Sequence, residues 1–281
     1  MRGDSSLAPH ASRLASLLSV SRLTTVFDLP GGPVPAVVDV SFDLDAGESF
    51  CLVGESGSGK SVTALSILKL VQPPGRIVSG RVLFKGRDLL SLDERAMQQV
   101  RGAEIGLVLQ EPMTALNPVF TVGRHIEETL AVHGIARGRE ARARAAELLD
   151  AVSIPDPERR LRDYPHQLSG GLRQRALIAM ALACKPSLLI ADEPTTALDV
   201  TIQAQILELL RDLQARLGLA LLLITHDFGV VAEMAHRVAV MQAGHIVEEA
   251  MVRDLFHAAH HPYTRSLLTA VRARPAGEPR R

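Results

Sequence analysis

The chain has 281 residues, room for one large domain or two small ones at the usual roughly 100–200 residues each. Hydrophobic residues make up 47% and charged residues 22%, a globular balance that excludes intrinsic disorder, collagen and coiled-coil arrays. The 31 basic residues cancel the 31 acidic ones and only 3% are aromatic, with no Trp, so bulk attraction to nucleic acid and a base-stacking surface are both excluded as the main activity.

In chain order, residues 1–20 read as a frayed extension or short surface helix, rich in Ser and Ala with Leu14, Leu17 and Leu18 at helical spacing. Neither a secretory leader nor a membrane span is expected, since the longest apolar run, Leu217 to Ile224, is interrupted by Gly218 and falls short of the roughly 18 residues a span needs. A cytosolic location follows by default. From Leu23 to Val53 apolar and polar residues alternate, broken by Pro30-Gly31-Gly32-Pro33, which predicts strands joined by a turn. The strand Phe50 to Val53 runs straight into glycines and then into a helical pattern at Val62, Leu65, Ile67 and Leu68, a βα unit. Gly80 to Phe84 and Ile105 to Leu109 predict further strands. Between Glu111 and Gln167 the strand signal disappears; Ala145, Leu148, Leu149 and Val152 share one helical face, and an inserted helical subdomain is expected at about 112–178. Strands return at Leu188 to Ala191, at Leu219 to Thr225 and in a hairpin around Ala243-Gly244, with an amphipathic crossover helix from Ile202 to Leu217. Strands alternating with helices predict an α/β fold with a mostly parallel sheet covered on both faces. The two cysteines, Cys51 and Cys184, have no partner at metal spacing and read as free thiols.

Three segments carry chemistry. Gly54-Glu55-Ser56-Gly57-Ser58-Gly59-Lys60-Ser61 fits the phosphate-loop pattern in its required place, after an apolar strand and before a helix. The glycines let several N–H groups face one point, and the helix N-terminus behind them favours an anion. Lys60 is placed to reach the β- and γ-phosphates, and Ser61 to hold Mg²⁺. Leu188 to Glu193 is a buried-strand run that ends in two acids, which locates both at the carboxyl edge of the sheet. Asp192 is assigned to Mg²⁺, and Glu193 to general-base activation of the attacking water. Finally, Ser169, Gly170 and Gly171 precede an apolar helix and offer a second anion-binding helix N-terminus.

These motifs, in this order, resemble the ATP-binding-cassette (ABC) ATPases. Gln110 matches that family's Q-loop, Asp199 its D-loop and His226 its switch histidine, and the resemblance covers about residues 23–248. It implies a RecA-like P-loop core with an antiparallel β portion and the helical subdomain, residues 21–257 forming the nucleotide-binding domain and 258–281 a short tail. It implies catalytic roles for Lys60, Gln110, Glu193 and His226, a metal-side role for Gln110 beside Ser61 and Asp192, and adenine stacking by Phe27. Two cassettes of the family dimerise head to tail, so Ser169, Gly170 and Gly171 serve the partner's nucleotide, and Asp199 is a further nucleotide-binding residue; Leu172 stands where the commonest signature has Gln.

The segments after Gln110, from Tyr164, from Ala191 and from His260 (His-His-Pro-Tyr-Thr) are similar to the ATPase subunits of dipeptide, oligopeptide and nickel importers. The implied function is ATP hydrolysis driving peptide uptake, with nickel or another small solute as the alternative cargo. Two transmembrane permease subunits and a second ABC ATPase are the implied partners, with a solute-binding protein acting indirectly, at the cytoplasmic face of the inner membrane. A soluble ABC ATPase of DNA repair is disfavoured by the short separation of Ser61 and Ser169, one of translation by the single cassette, and a non-hydrolysing sensor by the presence of Glu193 and His226. Members of this branch often carry an iron–sulfur tail; with no Cys beyond Cys184, no cluster is expected. His257, His260 and His261 read as a solvated helix end, and the arginines from Arg137 as an exposed face. Met113, Leu116, Val119 and Phe120 are expected to leave apolar surface exposed for a permease coupling helix.

Overall fold

The computed structural model describes residues 16–110 and 115–272, the side chains of 271 and 272 excepted. The first half comprises β1 (Leu18–Leu29), β2 (Gly32–Leu44), β3 (Ser49–Val53), α1 (Lys60–Ile67), β4 (Gly75–Phe84), β5 (Arg87–Asp88), α2 (Glu94–Val100) and β6 (Ile105–Val108). A helical stretch follows, with α3 (Val122–Val132), α4 (Gly138–Ala151), α5 (Pro157–Arg160) and α6 (Gly170–Ala181). The chain then returns to α/β order in β7 (Leu188–Asp192), α7 (Val200–Leu217), β8 (Ala220–Thr225), α8 (Phe228–Met234), β9 (Arg237–Gln242), β10 (His245–Met251), α9 (Val252–Ala258) and α10 (Pro262–Arg272).

Two sheets result. One is antiparallel, in the order β2-β1-β4-β5; the other runs β10-β9-β3-β8-β7-β6, parallel throughout except for β10 at its edge. The central strands β3, β7 and β8 are apolar at successive positions because both their faces are buried. Cys51, Val53, Leu189, Ala191, Leu221, Leu223, Val238 and Val240 face the core shared with α3, α4, α6, α7 and α8. Their neighbours Phe50, Leu52, Leu188, Ile190, Leu222, Ile224, Ala239 and Met241 face a second core, closed by α1, α2 and the antiparallel sheet. Side-chain acceptors begin the helices where the sequence places them: Thr121, Ser169 and Asp199 each accept an N–H from the first turn of α3, α6 and α7.

The expected boundaries need correction at both ends. Leu18 and Val20 are buried on the inward face of β1, so the period there is two and not the helical spacing read from Leu14, Leu17 and Leu18; residues 1–15 of the expected extension lie outside the described residues. The expected tail from residue 258 contains α10, which turns Thr264 and Leu268 inward four residues apart. Leu116 is also corrected: it is 2% exposed, whereas Val119 is 69% exposed and Phe120 lies under the Arg124 guanidinium at 4.2 Å. Met113 lies outside the described residues. No described helix is long and apolar enough to cross a membrane.

Candidate functional site

The site lies at the carboxyl edge of the parallel sheet, where β3 enters α1 and β7 ends. Gly59, the residue before α1, has φ +103° and an added Cβ there would stand 2.3 Å from the Ala36 carbonyl oxygen. Only glycine fits so close an approach to backbone. Gly54 is confined likewise by the Met241 carbonyl at 2.3 Å. At Gly57, φ +78°, nothing lies within 4 Å, so the loop is tight where it meets the protein and open at its tip. Glu55, Ser56 and Gly57 are exposed, and Ser58, Gly59 and Lys60 are buried.

The Lys60 ammonium folds back into the loop and donates to the carbonyls of Gly54 and Glu55, both at 2.8 Å, and to Ser58 Oγ at 3.3 Å. Burial pushes its pKa down, while the nearby carboxylates of Glu193, Asp192 and Glu55 oppose the shift.

Ser61 Oγ donates to Asp192 Oδ1 at 3.0 Å, joining the start of α1 to the end of β7. Asp192 is 5% exposed. Burial raises its pKa, the neighbouring Glu193 charge adds to this, and the Ser61 hydrogen bond and Lys60 work against it. A hydroxyl and a carboxylate at one point are hard oxygen donors that fit Mg²⁺ better than a soft metal. A buried carboxylate in need of positive charge fits the same ion.

Glu193 has φ +47°, a left-handed backbone uncommon outside glycine, and its N–H donates to the Ile224 carbonyl at 2.9 Å. This turn lifts its carboxylate off the strand axis into a cluster. Oε2 accepts from Thr196 Oγ1 at 2.7 Å and from Gln110 Nε2 at 3.0 Å; Oε1 lies 3.2 Å from His226 Nδ1. Residues just beyond the ends of β6, β7 and β8 thus converge on one carboxylate, in an open cleft of about 500 Å³ that Gly54, Glu55, Ser56 and Phe228 also line. Thr196 was not read from the sequence, although it lies three residues beyond the proposed base in Thr195-Thr196, at the spacing of a local side-chain bond.

The structure leaves the other expected residues apart from this cleft. Ser169 and Gly170 are exposed at the N-terminus of α6, where Ser169 Oγ accepts the Leu172 N–H at 3.4 Å. Gly171 is packed so closely on Ile202 that an added Cβ would stand 2.6 Å from its Cγ2. Asp199 begins α7 with its carboxylate accepting the Ile202 N–H at 2.9 Å, so the two predicted motifs share a contact. Leu172 packs against the larger core. Phe27 is half-buried on β1, its ring beside Gly75, and takes no part in the cleft. The amides of His260 and His261 are bonded to Glu248, and no group of three or more metal-binding side chains occurs among the described residues. On α4, Arg144 pairs with Glu140 and Arg142 with Glu127 of α3.

Comparison with known proteins places this geometry. A family model described as ABC transporter matches residues 37–196. The chain is 54% identical over 260 residues to the oligopeptide transport ATP-binding protein OppD of Bacillus subtilis, covering 92% of this chain and 73% of that one. It is 52% identical over 259 residues to the dipeptide transport ATP-binding protein DppD of the same organism, covering 92% and 77%. Among solved structures, a dimeric ATP-binding cassette in a post-hydrolysis state bound to ADP and Pi superposes with a TM-score of 0.75 at 30% identity, over 84% of this chain and 99% of that one.

Proposed function

The chain belongs to the ABC transporter family, and from that premise we propose that it is the ATP-hydrolysing subunit of a peptide importer. Its relatives are named for oligopeptide and dipeptide transport, and the cleft supplies the chemistry for the ATP half of that reading. The loop amides of Gly54 to Ser61 bind the phosphates, and Lys60 exchanges its carbonyl partners for the β- and γ-phosphate oxygens. Ser61, Asp192 and Gln110 would hold Mg²⁺, which would supply neutralising charge for the phosphates. Glu193 takes the proton of the attacking water, oriented by Thr196 and Gln110, and His226 stands on its other oxygen.

Phe27 is assigned to the adenine. The exposed Ser169 and Gly170 and the buried Gly171 serve the nucleotide of a second cassette, and Asp199 sets the start of α7 against them. The nucleotide-binding domain takes in the described chain from β1 to α10, its helical part carrying α3 to α6. Two permease subunits in the membrane, a second ABC ATPase and a solute-binding protein complete the transporter, with this chain peripheral at the cytoplasmic face.

One observation carries the hydrolytic reading: a single carboxylate, Glu193, meets side chains from three strands' ends next to the Ser61–Asp192 pair. The transport reading is tested with the assembled transporter in proteoliposomes, by following uptake of a labelled di- or tripeptide with ATP on the side of this chain. ATP-dependent peptide uptake that stops with Glu193→Gln supports it. Uptake of nickel with no peptide uptake overturns the assigned cargo.

A further inference from the structure

The C-terminal helix reaches the phosphate loop. On β10, Glu248 accepts the N–H of His260 at 2.7 Å and that of His261 at 3.1 Å, one on each carboxylate oxygen. His261 Nδ1 then accepts the Tyr263 N–H at 3.3 Å. These bonds fix the first turn of α10, from which the Tyr263 hydroxyl crosses to the loop, donating to Glu55 Oε2 at 3.1 Å and accepting the Glu55 N–H at 3.4 Å. Farther along α10, Leu267 and Ala270 line the same cleft as Gln110, Glu193 and His226. Burial, with the Glu55 carboxylate adding to it, raises the Tyr263 phenol above its usual range.

Glu55 is the only acid between Gly54 and Ser61, and it is close enough to act on the charge of Lys60. A free carboxylate beside a triphosphate repels it. We propose that Tyr263 is a positioning residue for the nucleotide: its hydroxyl holds the Glu55 carboxylate against α10, away from the phosphate cradle. This rests on the reading of Gly54 to Ser61 as the phosphate loop.

The test is calorimetric titration of the full chain with ATP, in EDTA and in Mg²⁺, with melting curves alongside. Tyr263→Phe keeps the ring and removes the oxygen. Its Kd should rise about three- to tenfold, the range for the net loss of one ordinary hydrogen bond, and the gap to wild type should narrow at 1 M salt because like-charge repulsion is screened. In a Glu55→Gln background the same substitution should change Kd less than about twofold, since the charge it restrains is gone. The melting temperature serves as the control, because a purely structural role would lower it equally in both backgrounds. A wild-type Kd for Tyr263→Phe, an equal rise in both backgrounds, or a gap indifferent to salt overturns the inference. Lys60→Ala separates the two failures: if it binds ATP as wild type does, the phosphate-loop reading has failed; if it loses ATP while Tyr263→Phe binds normally, only the role of Tyr263 has.

Discussion

Glu193→Gln isolates the chemical step, because the geometry allows the charge to be removed with little else disturbed. The two donors on Oε2, Thr196 Oγ1 and Gln110 Nε2, can both be accepted by an amide oxygen, leaving the amide nitrogen toward His226 Nδ1. The side-chain volume is unchanged, so stability should move by no more than about 1 kcal/mol, one ordinary hydrogen bond, or about 2–4 °C in a chain of this size. Lys60, Ser61 and Asp192 keep their contacts, so ATP affinity should stay within about threefold, roughly 0.7 kcal/mol. Turnover loses its proton acceptor, a contribution of about 10²- to 10⁴-fold, equivalent to roughly 2.7–5.5 kcal/mol of barrier. The assay is phosphate release at saturating Mg²⁺-ATP, beside calorimetric ATP binding and a melting curve on the same preparation. Turnover within about threefold of wild type, at unchanged affinity, would assign the base to another group. Equal losses of affinity and turnover would refute the reasoning differently, by showing that Glu193 acts on bound ATP and not on the water.

Gly171→Ala puts a methyl 2.6 Å from Ile202 Cγ2; the expected cost is about 1–3 kcal/mol of overpacking, seen as a lower melting temperature that Ile202→Ala in the same chain restores, and failure of that rescue would show that the two motifs are not in contact. Asp192 is expected to make the nucleotide-free chain sensitive to pH. Because its folded pKa is raised, its contribution is present below the unfolded value of about 3.9 and is lost as pH climbs through the folded value. Asp192→Asn should therefore melt progressively above wild type as pH rises past about 4, and Mg²⁺-ATP should close the gap by stabilising wild type alone; parallel pH profiles for the two proteins would contradict this.

What could be read from the sequence was chemistry set by short spacing. Gly54 to Ser61 and the Asp192-Glu193 pair are each encoded within one strand-to-loop junction, so their place at the sheet edge follows from local pattern alone. The short unbroken apolar runs Phe50 to Val53 and Leu188 to Ala191 likewise located the central strands. Contacts that depend on distant segments were not legible. Tyr263 and Glu55 are 208 residues apart, and nothing in the His-Pro-Tyr-Thr segment points to the phosphate loop until β10 turns α10 toward it. Leu116 was misread for a related reason: an irregular stretch gives no face to assign, and its burial is decided by tertiary packing that periodicity does not encode. The register of β1, which pairs with both β2 and β4 through several bulges, was hidden by the leucines that precede it.

The central claim is that Lys60 and its loop hold the phosphates of an ATP that this chain hydrolyses. The most direct measurement compares wild type with Lys60→Ala for ATP binding and phosphate release under the same Mg²⁺ conditions. The ammonium meets ground-state phosphates as a charge-assisted donor, so the account expects wild type to bind ATP and to hydrolyse it only with Mg²⁺ present, and Lys60→Ala to lose both while still showing a cooperative melting transition, lowered by the loss of its three buried hydrogen bonds. A folded Lys60→Ala chain that binds ATP as tightly as wild type and releases phosphate at the same rate would contradict it.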